Sequence, residues 1–92
     1  LILLKFAEYI LANPNYTLQI EGHTDDVGTT EDNLKLSQAR AEAVKSFFEE
    51  SGVETSRLQA SGFGESSPKE SNNTDQGRAA NRRTEFIVKN NR

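Results

Sequence analysis

The chain changes period at Asn13-Pro14. Before that point, in "LILLKFAEYILANP", Leu1, Leu4, Ala7, Tyr9 and Leu11, with Ile2, Phe6 and Ile10 beside them, recur at roughly helical spacing. A proline disfavours helical geometry in the residue before it, so the helix stops there. Immediately afterwards "YTLQIEGH" alternates: Tyr16, Leu18 and Ile20 face one way, and Thr17, Gln19 and Glu21 the other. That is a strand with one face more deeply buried. A helix delivered straight into such a strand commits the chain to packing helices on a sheet.

The rest of the sequence continues that plan. Thr29 or Thr30 is the expected N-cap of a second helix, with Glu31 and Asp32 in the first turn, where the helix dipole favours acids. The helix runs to "EESG", with Gly52 as the C′ residue. "RLQASGF", Arg57 to Phe63, reads as a shorter strand, Gln76 to Asn81 as one or two helical turns, and "RTEFIVKN" as a final strand. The order α-β-α-β-(α)-β gives an α+β, two-layer architecture. At 92 residues without cysteine it is one domain with no disulfide or thiolate metal site to staple it. The net charge of −3, with basic residues spread among acids, gives no nucleic-acid footprint. No apolar run approaches the roughly 20 residues of a membrane span.

One residue of the second helix conflicts with the apolar pattern. On a wheel of about 100° per residue, Leu36, Ala43, Val44 and Phe47 form one arc with Phe48 at its edge, and Arg40 falls in the middle of it. Asn33 and Ser37 lie on the same side. A guanidinium on a core-facing stripe must be paired, reach a cleft, or snorkel to solvent along its stem. The strand from Tyr16 delivers Glu21, His23, Asp25 and Asp26 to its carboxyl end, next to the start of that helix. An aspartate there and Arg40 can pair with each other. Equally, they can clamp a zwitterion, the carboxylate accepting from an ammonium and the guanidinium gripping a carboxylate. The residues alone leave both open.

Other constellations are weaker. Glu21, His23 and Asp25 alternate onto one strand face, but zinc sites usually want more nitrogen or sulfur than a chain with one histidine and no cysteine supplies. No metal or cofactor is expected, and His23 reads as a turn-stabilising side chain. A carboxylate hydrolase using Asp25, Asp26 or Glu21 lacks a nucleophile with an adjacent base. "GFGE" neither opens a helix nor carries a lysine, which argues against phosphate binding. "GRAANRR" brings Arg78, Arg82 and Arg83 together with Asn81; one reading is contact with an anion or acidic partner, and the preferred one is structural, with Asn81 and an arginine tying the last connection to the strand edge.

Together, "IEGHTDDVGTTEDNLKLSQARAEAV", "RLQASGFGESSP" and "NNTDQGRAANRRTEFIV" closely resemble the OmpA-like C-terminal domain, the peptidoglycan-associating module also found in peptidoglycan-associated lipoproteins and flagellar stator proteins. The G-H-T-D, N-x-x-L-S-x-x-R-A and G-R-A-x-N-R-R blocks occur in order across Ile20 to Val88, about three-quarters of the chain. The resemblance implies a β-α-β-α-β-β-like fold, a mixed sheet with helices on one face. It also implies a non-enzymatic, cofactor-free role: binding the diaminopimelate of the peptidoglycan stem peptide from the periplasm, as part of an outer-membrane or envelope protein. The implied site is Asp25 and Arg40, supported by Thr24, Asn33, Leu36 and Ser37. Asp25 would take the ammonium, Arg40 the carboxylate, and Leu36 the aliphatic chain between. The alternative is a structural protein–protein module in which Asp25 and Arg40 form an internal ion pair. The family's fold begins with a strand ahead of the first helix. This chain opens inside that helix, so the strand is expected to be absent and the sheet to keep an exposed edge or to recruit another chain.

Overall fold

The structure, a computed structural model, describes residues 2–92. Its elements are α1 (Ile2–Ala12), β1 (Tyr16–His23), α2 (Thr30–Glu50), a short 3-10 turn (Thr55–Arg57), β2 (Leu58–Gly64), α3 (Asp75–Asn81) and β3 (Thr84–Asn90). Leu1, expected in the first helix, lies outside the described residues. The α+β reading holds. The strands form one sheet in the order β2-β1-β3, with β1 parallel to β2 and antiparallel to β3. No strand precedes α1 among the described residues, and β3 is an edge strand on which Ile87 and Val88 are exposed.

Alternation along β1 is as the sequence implies: Leu18, Ile20 and Gly22 are buried toward the helices, while Thr17, Gln19 and Glu21 are half-buried on the other face. Phe6 of α1, Phe48 of α2 and Phe86 of β3 meet edge to face, with centroids 5.9, 5.1 and 6.1 Å apart. That is a favoured aromatic geometry, and it ties both helices to the sheet. The buried stripe of α1 is Ala7 and Ile10, with Leu3 and Phe6 packed beside them. Leu4, Tyr9 and Leu11, counted with the apolar repeat from the sequence, are instead exposed. The carboxyl end of α1 is closed by Arg57, which donates to the carbonyls of Ile10 and Asn13 at 2.7 Å each and to that of Tyr16 at 2.9 Å. A cation at a helix C-terminus offsets the dipole as well as satisfying carbonyls the helix cannot.

The second helix has the expected ends. Thr29 accepts from the Asp32 amide, and Gly52, at φ +105°, follows the Ser51 cap. Its fully buried residues are Asn33, Ser37, Ala41 and Phe48; of the arc that contained Arg40, Val44 and Phe47 pack against the core, but Leu36, Arg40 and Ala43 do not. The cause is how closely the helix approaches the sheet. A Cβ on Gly22 would lie 2.3 Å from the Ser37 carbonyl oxygen, and one on Gly62 would lie 2.3 Å from the Gln38 nitrogen. At that separation only small or hydrogen-bonding side chains fit underneath. Ser37 Oγ accepts from the Gly64 amide, and Gln38 bonds both Ala60 O and Gly62 N on the outer strand. Leu36 and Arg40 are displaced outward, and both are exposed.

Candidate functional site

The loop from Thr24 to Thr29 joins the carboxyl end of β1 to the amino end of α2, and its walls are hydrogen-bonded. Thr24 is 3% exposed; its amide donates to Gly64 O and its hydroxyl to Asp25 O. Asn33 is 6% exposed and its Nδ2 contacts Asp25 O, Val27 O and Glu65 Oε1 at 3.0–3.2 Å. The side chains of Thr24, Asn33 and Ser37 are thus engaged mainly with the protein itself, and they set where the loop stands. The Oδ1 of Asn33 accepts no hydrogen bond among the described residues.

Asp25 is buried, yet ionised and held at both oxygens. Its Oδ1 accepts from the Val27 amide at 3.1 Å, and its Oδ2 from Arg82 Nη1 at 2.7 Å. Burial pushes its pKa up, but the Arg82 and Val27 hydrogen bonds and the charges of Arg82 and Arg78 outweigh that, and the net shift is down. Arg82 caps the end of α3, 57 residues along the chain, and its side chain stays 48% exposed.

This corrects one expectation and goes against one of the alternatives left open. Arg40 does not lie on a core-facing stripe. Nor does it form an ion pair with Asp25: among the described residues, the carboxylate's cationic partner is Arg82. Arg40 instead stands on the exposed side of α2 with no ion pair or side-chain hydrogen bond among the described residues. From Asn33, whose side chain touches the Asp25 carbonyl, Arg40 is two helical turns on, about 10 Å along the axis. Long helical side chains generally lean back toward the helix N-terminus, the end of α2 that the loop enters. Leu36, 43% exposed, lies one turn before it on the same side. Asp25 thus lies in the loop that leads into α2, and Leu36 and Arg40 are exposed on that helix, while Thr24, Asn33 and Ser37 are buried in the loop and the helix–sheet seam.

Arg82 and Glu65 are the site residues that sequence reasoning missed. The "GRAANRR" block did signal a structural role, and part of it is as expected. Asn81 is fully buried; its Oδ1 accepts from the amides of Lys69 and Glu70, and its Nδ2 donates to Glu70 O and Asn72 Oδ1. Arg83 pairs with Glu85 and donates to Ser67 O. No such signal points to Arg82 reaching Asp25. His23 departs from its expected turn-stabilising role. It is 4% exposed, stacks on Phe63 with centroids 5.5 Å apart, and neither ring nitrogen has a hydrogen-bond partner among the described residues. Burial, then the Arg83 charge, lowers its pKa against the opposing pull of Glu85 and Glu21.

Comparison with known proteins agrees with the architecture. The crystal structure of the peptidoglycan-associated lipoprotein from Burkholderia pseudomallei superposes with a TM-score of 0.91 at 33% identity, covering 96% of this chain and 75% of that one. A putative MotB-like protein from Desulfovibrio vulgaris gives 0.88 at 32% identity, over 97% of this chain and 58% of its own. Among curated relatives, outer membrane porin F of Pseudomonas aeruginosa is 48% identical over 85 residues, 91% of this chain and 24% of the porin. The outer-membrane lipoprotein YfiB of the same species is 41% identical over 86 residues, 94% of this chain and 51% of its own length. The chain thus spans about a quarter of the porin and half of the lipoprotein. The OmpA family model matches residues 2–82, from α1 through α3, and the chain belongs to the OmpA family.

Proposed function

We propose that this domain binds the stem peptide of peptidoglycan without covalent chemistry, gripping the amino-acid end of diaminopimelate between Asp25 and Arg40. The observation that carries the reading is an exposed Arg40 with no ion pair among the described residues, on the helix entered directly from the loop that holds Asp25, whose carboxyl pKa is shifted down. A carboxylate offers about four lone-pair sites. With one contact each from Val27 and Arg82, Asp25 retains capacity for an ammonium. Asn33 Oδ1 is a second acceptor at the same edge. Arg40 would take the ligand carboxylate bidentately, and Leu36 would cover the methylenes between. Thr24, Asn33 and Ser37 belong to the site as the residues that hold it in shape. A lysine in place of diaminopimelate keeps the ammonium but lacks the carboxylate, so Arg40 would lose its partner and selectivity would follow.

The similarity to a peptidoglycan-associated lipoprotein and to outer-membrane proteins supports a periplasmic setting, as a domain of an envelope protein that it anchors to the wall. The role is binding, not catalysis. The internal-pair alternative loses its premise, because Asp25 pairs with Arg82.

The test is calorimetric titration of the folded protein with a soluble diaminopimelate stem peptide. Saturable binding is expected, weakened roughly 30-fold or more by Arg40→Ala or Asp25→Ala, as for a truncated partner of a desolvated charge pair. A lysine-type peptide should bind comparably weakly. Unchanged affinity in Arg40→Ala, or equal affinity for the two peptides, would refute the clamp.

A further inference from the structure

On the face of the sheet away from the helices, β1 and β3 place like charges opposite each other. Glu21 and Glu85 are directly paired in the antiparallel ladder, an arrangement that is ordinarily destabilising. His23, two residues further along β1, projects from the same face. Its ring is 4% exposed, neither nitrogen has a hydrogen-bond partner among the described residues, and Nε2 lies 3.8 Å from Glu21 Oε1. A buried, unpartnered imidazole is costly to leave unsatisfied. Here it is aimed at a carboxylate pair, and one donor atom from each of Glu21, His23 and Glu85 lies within 4.8 Å of the others.

We propose that Glu21, His23 and Glu85 form a binding site for one divalent transition-metal ion of the zinc class. In a tetrahedral site with ligand bonds of about 2.0–2.2 Å, donor atoms stand roughly 3.4 Å apart. The present cluster therefore needs to contract by about an ångström, within the reach of side-chain rotation. The outer contacts suit the role. Gln19 Nε2 holds Glu21 Oε2 at 2.8 Å and Arg83 Nε holds Glu85 Oε2, so each carboxylate is oriented through one oxygen and keeps the other. Such outer hydrogen bonds are how metal ligands are commonly fixed. The Glu85 side chain is 44% exposed, which provides an entry path and room for water as a fourth ligand. A triad of Glu21, His23 and Asp25, the set suggested by alternation along β1, does not form, because Asp25 turns into the loop toward Arg82; β3 supplies Glu85 instead. The nearby Arg83 charge opposes any cation, and the imidazole ligand favours a zinc-class ion over the magnesium or calcium that all-oxygen sites take. Bound there, the ion would tie β1 to β3 one residue beyond the point where the ladder ends at Gly22 and Thr84.

His23 is the one histidine in the chain, so its ring resonances report on this site alone. Untagged protein would be titrated with zinc, followed by calorimetry and by the His23 ring signals in NMR. Cobalt absorbance would serve as a second readout. The expected result is saturable binding of a single equivalent that perturbs the His23 ring. His23→Gln should abolish it, and Glu85→Gln should weaken it at least about tenfold, with magnesium ineffective. Zinc binding that leaves the His23 ring unshifted would overturn the proposal. Binding that persists unchanged in Glu85→Gln would do the same, and that variant alters a half-exposed side chain outside the core, so the test stands even where His23→Gln fails to fold.

Discussion

Replacing Arg82 with alanine tests the electrostatic account of Asp25 most directly. The substitution removes a 2.7 Å charge-assisted hydrogen bond to a carboxylate on a residue that is only 7% exposed. Hydrogen bonds to charged groups contribute about 1.5–3 kcal/mol. The Arg82 side chain is 48% exposed, so solvent screening reduces that, and a loss of about 1–2 kcal/mol near neutral pH is expected. The pH dependence separates an ion pair from mere packing. Asp25 has a folded-state pKa below its ordinary value, so its contribution is present above the unfolded value of about 3.9. It fades as pH falls through the lower folded value. The gap between wild type and Arg82→Ala should therefore be full at pH 7 and shrink steadily below about pH 4. Urea unfolding at a series of pH values measures it, with Asp25→Asn and the double variant closing a cycle. A gap that stays constant into acid, or a double variant whose losses simply add, would show that Arg82 acts through packing and that the carboxylate is held by other means.

Two further substitutions probe the frame that carries the site. Gly22→Ala places a Cβ 2.3 Å from the Ser37 carbonyl and forces α2 off the sheet. A loss of about 1–3 kcal/mol, as for overpacked cores, should appear as a lowered urea midpoint, and an unshifted midpoint would contradict the close helix–sheet contact. Arg57→Ala removes the side-chain donor to the Ile10 and Asn13 carbonyls at the end of α1 and to that of Tyr16 at the start of β1, and should cost about 2–3 kcal/mol. Arg57→Lys should recover only part of that, since an ammonium cannot span three acceptors as a planar fork does; full recovery in thermal unfolding would argue against the capping role.

Much of this protein is legible in order along the chain. The proline after α1, the alternation of β1, the Thr29 cap and the Gly52 terminus are local effects of backbone sterics and hydrogen bonding, and each stands where residue chemistry puts it. The three ordered blocks likewise place Asp25 and Arg40 on adjoining elements. Hydrophobicity on a helix wheel, by contrast, placed Val44, Phe47 and Phe48 against the core but misassigned the inward face of the first half of α2, where Leu36 and Arg40 are exposed. That face is decided by Gly22 and Gly62, which let the helix backbone come so near the strands that Asn33, Ser37 and Ala41 fit beneath it and Leu36 and Arg40 do not. The partner of Asp25 was out of reach for a related reason. Arg82 is 57 positions away, and periodicity carries no information about which of several arginines a folded chain returns to a given carboxylate. The same holds for Glu85 meeting Glu21 and His23 across the ladder. Local sequence determines where helices and strands begin and end, because those preferences act over a few residues. Which faces meet, and which charges share one buried space, is decided only when the packed sheet brings distant residues together.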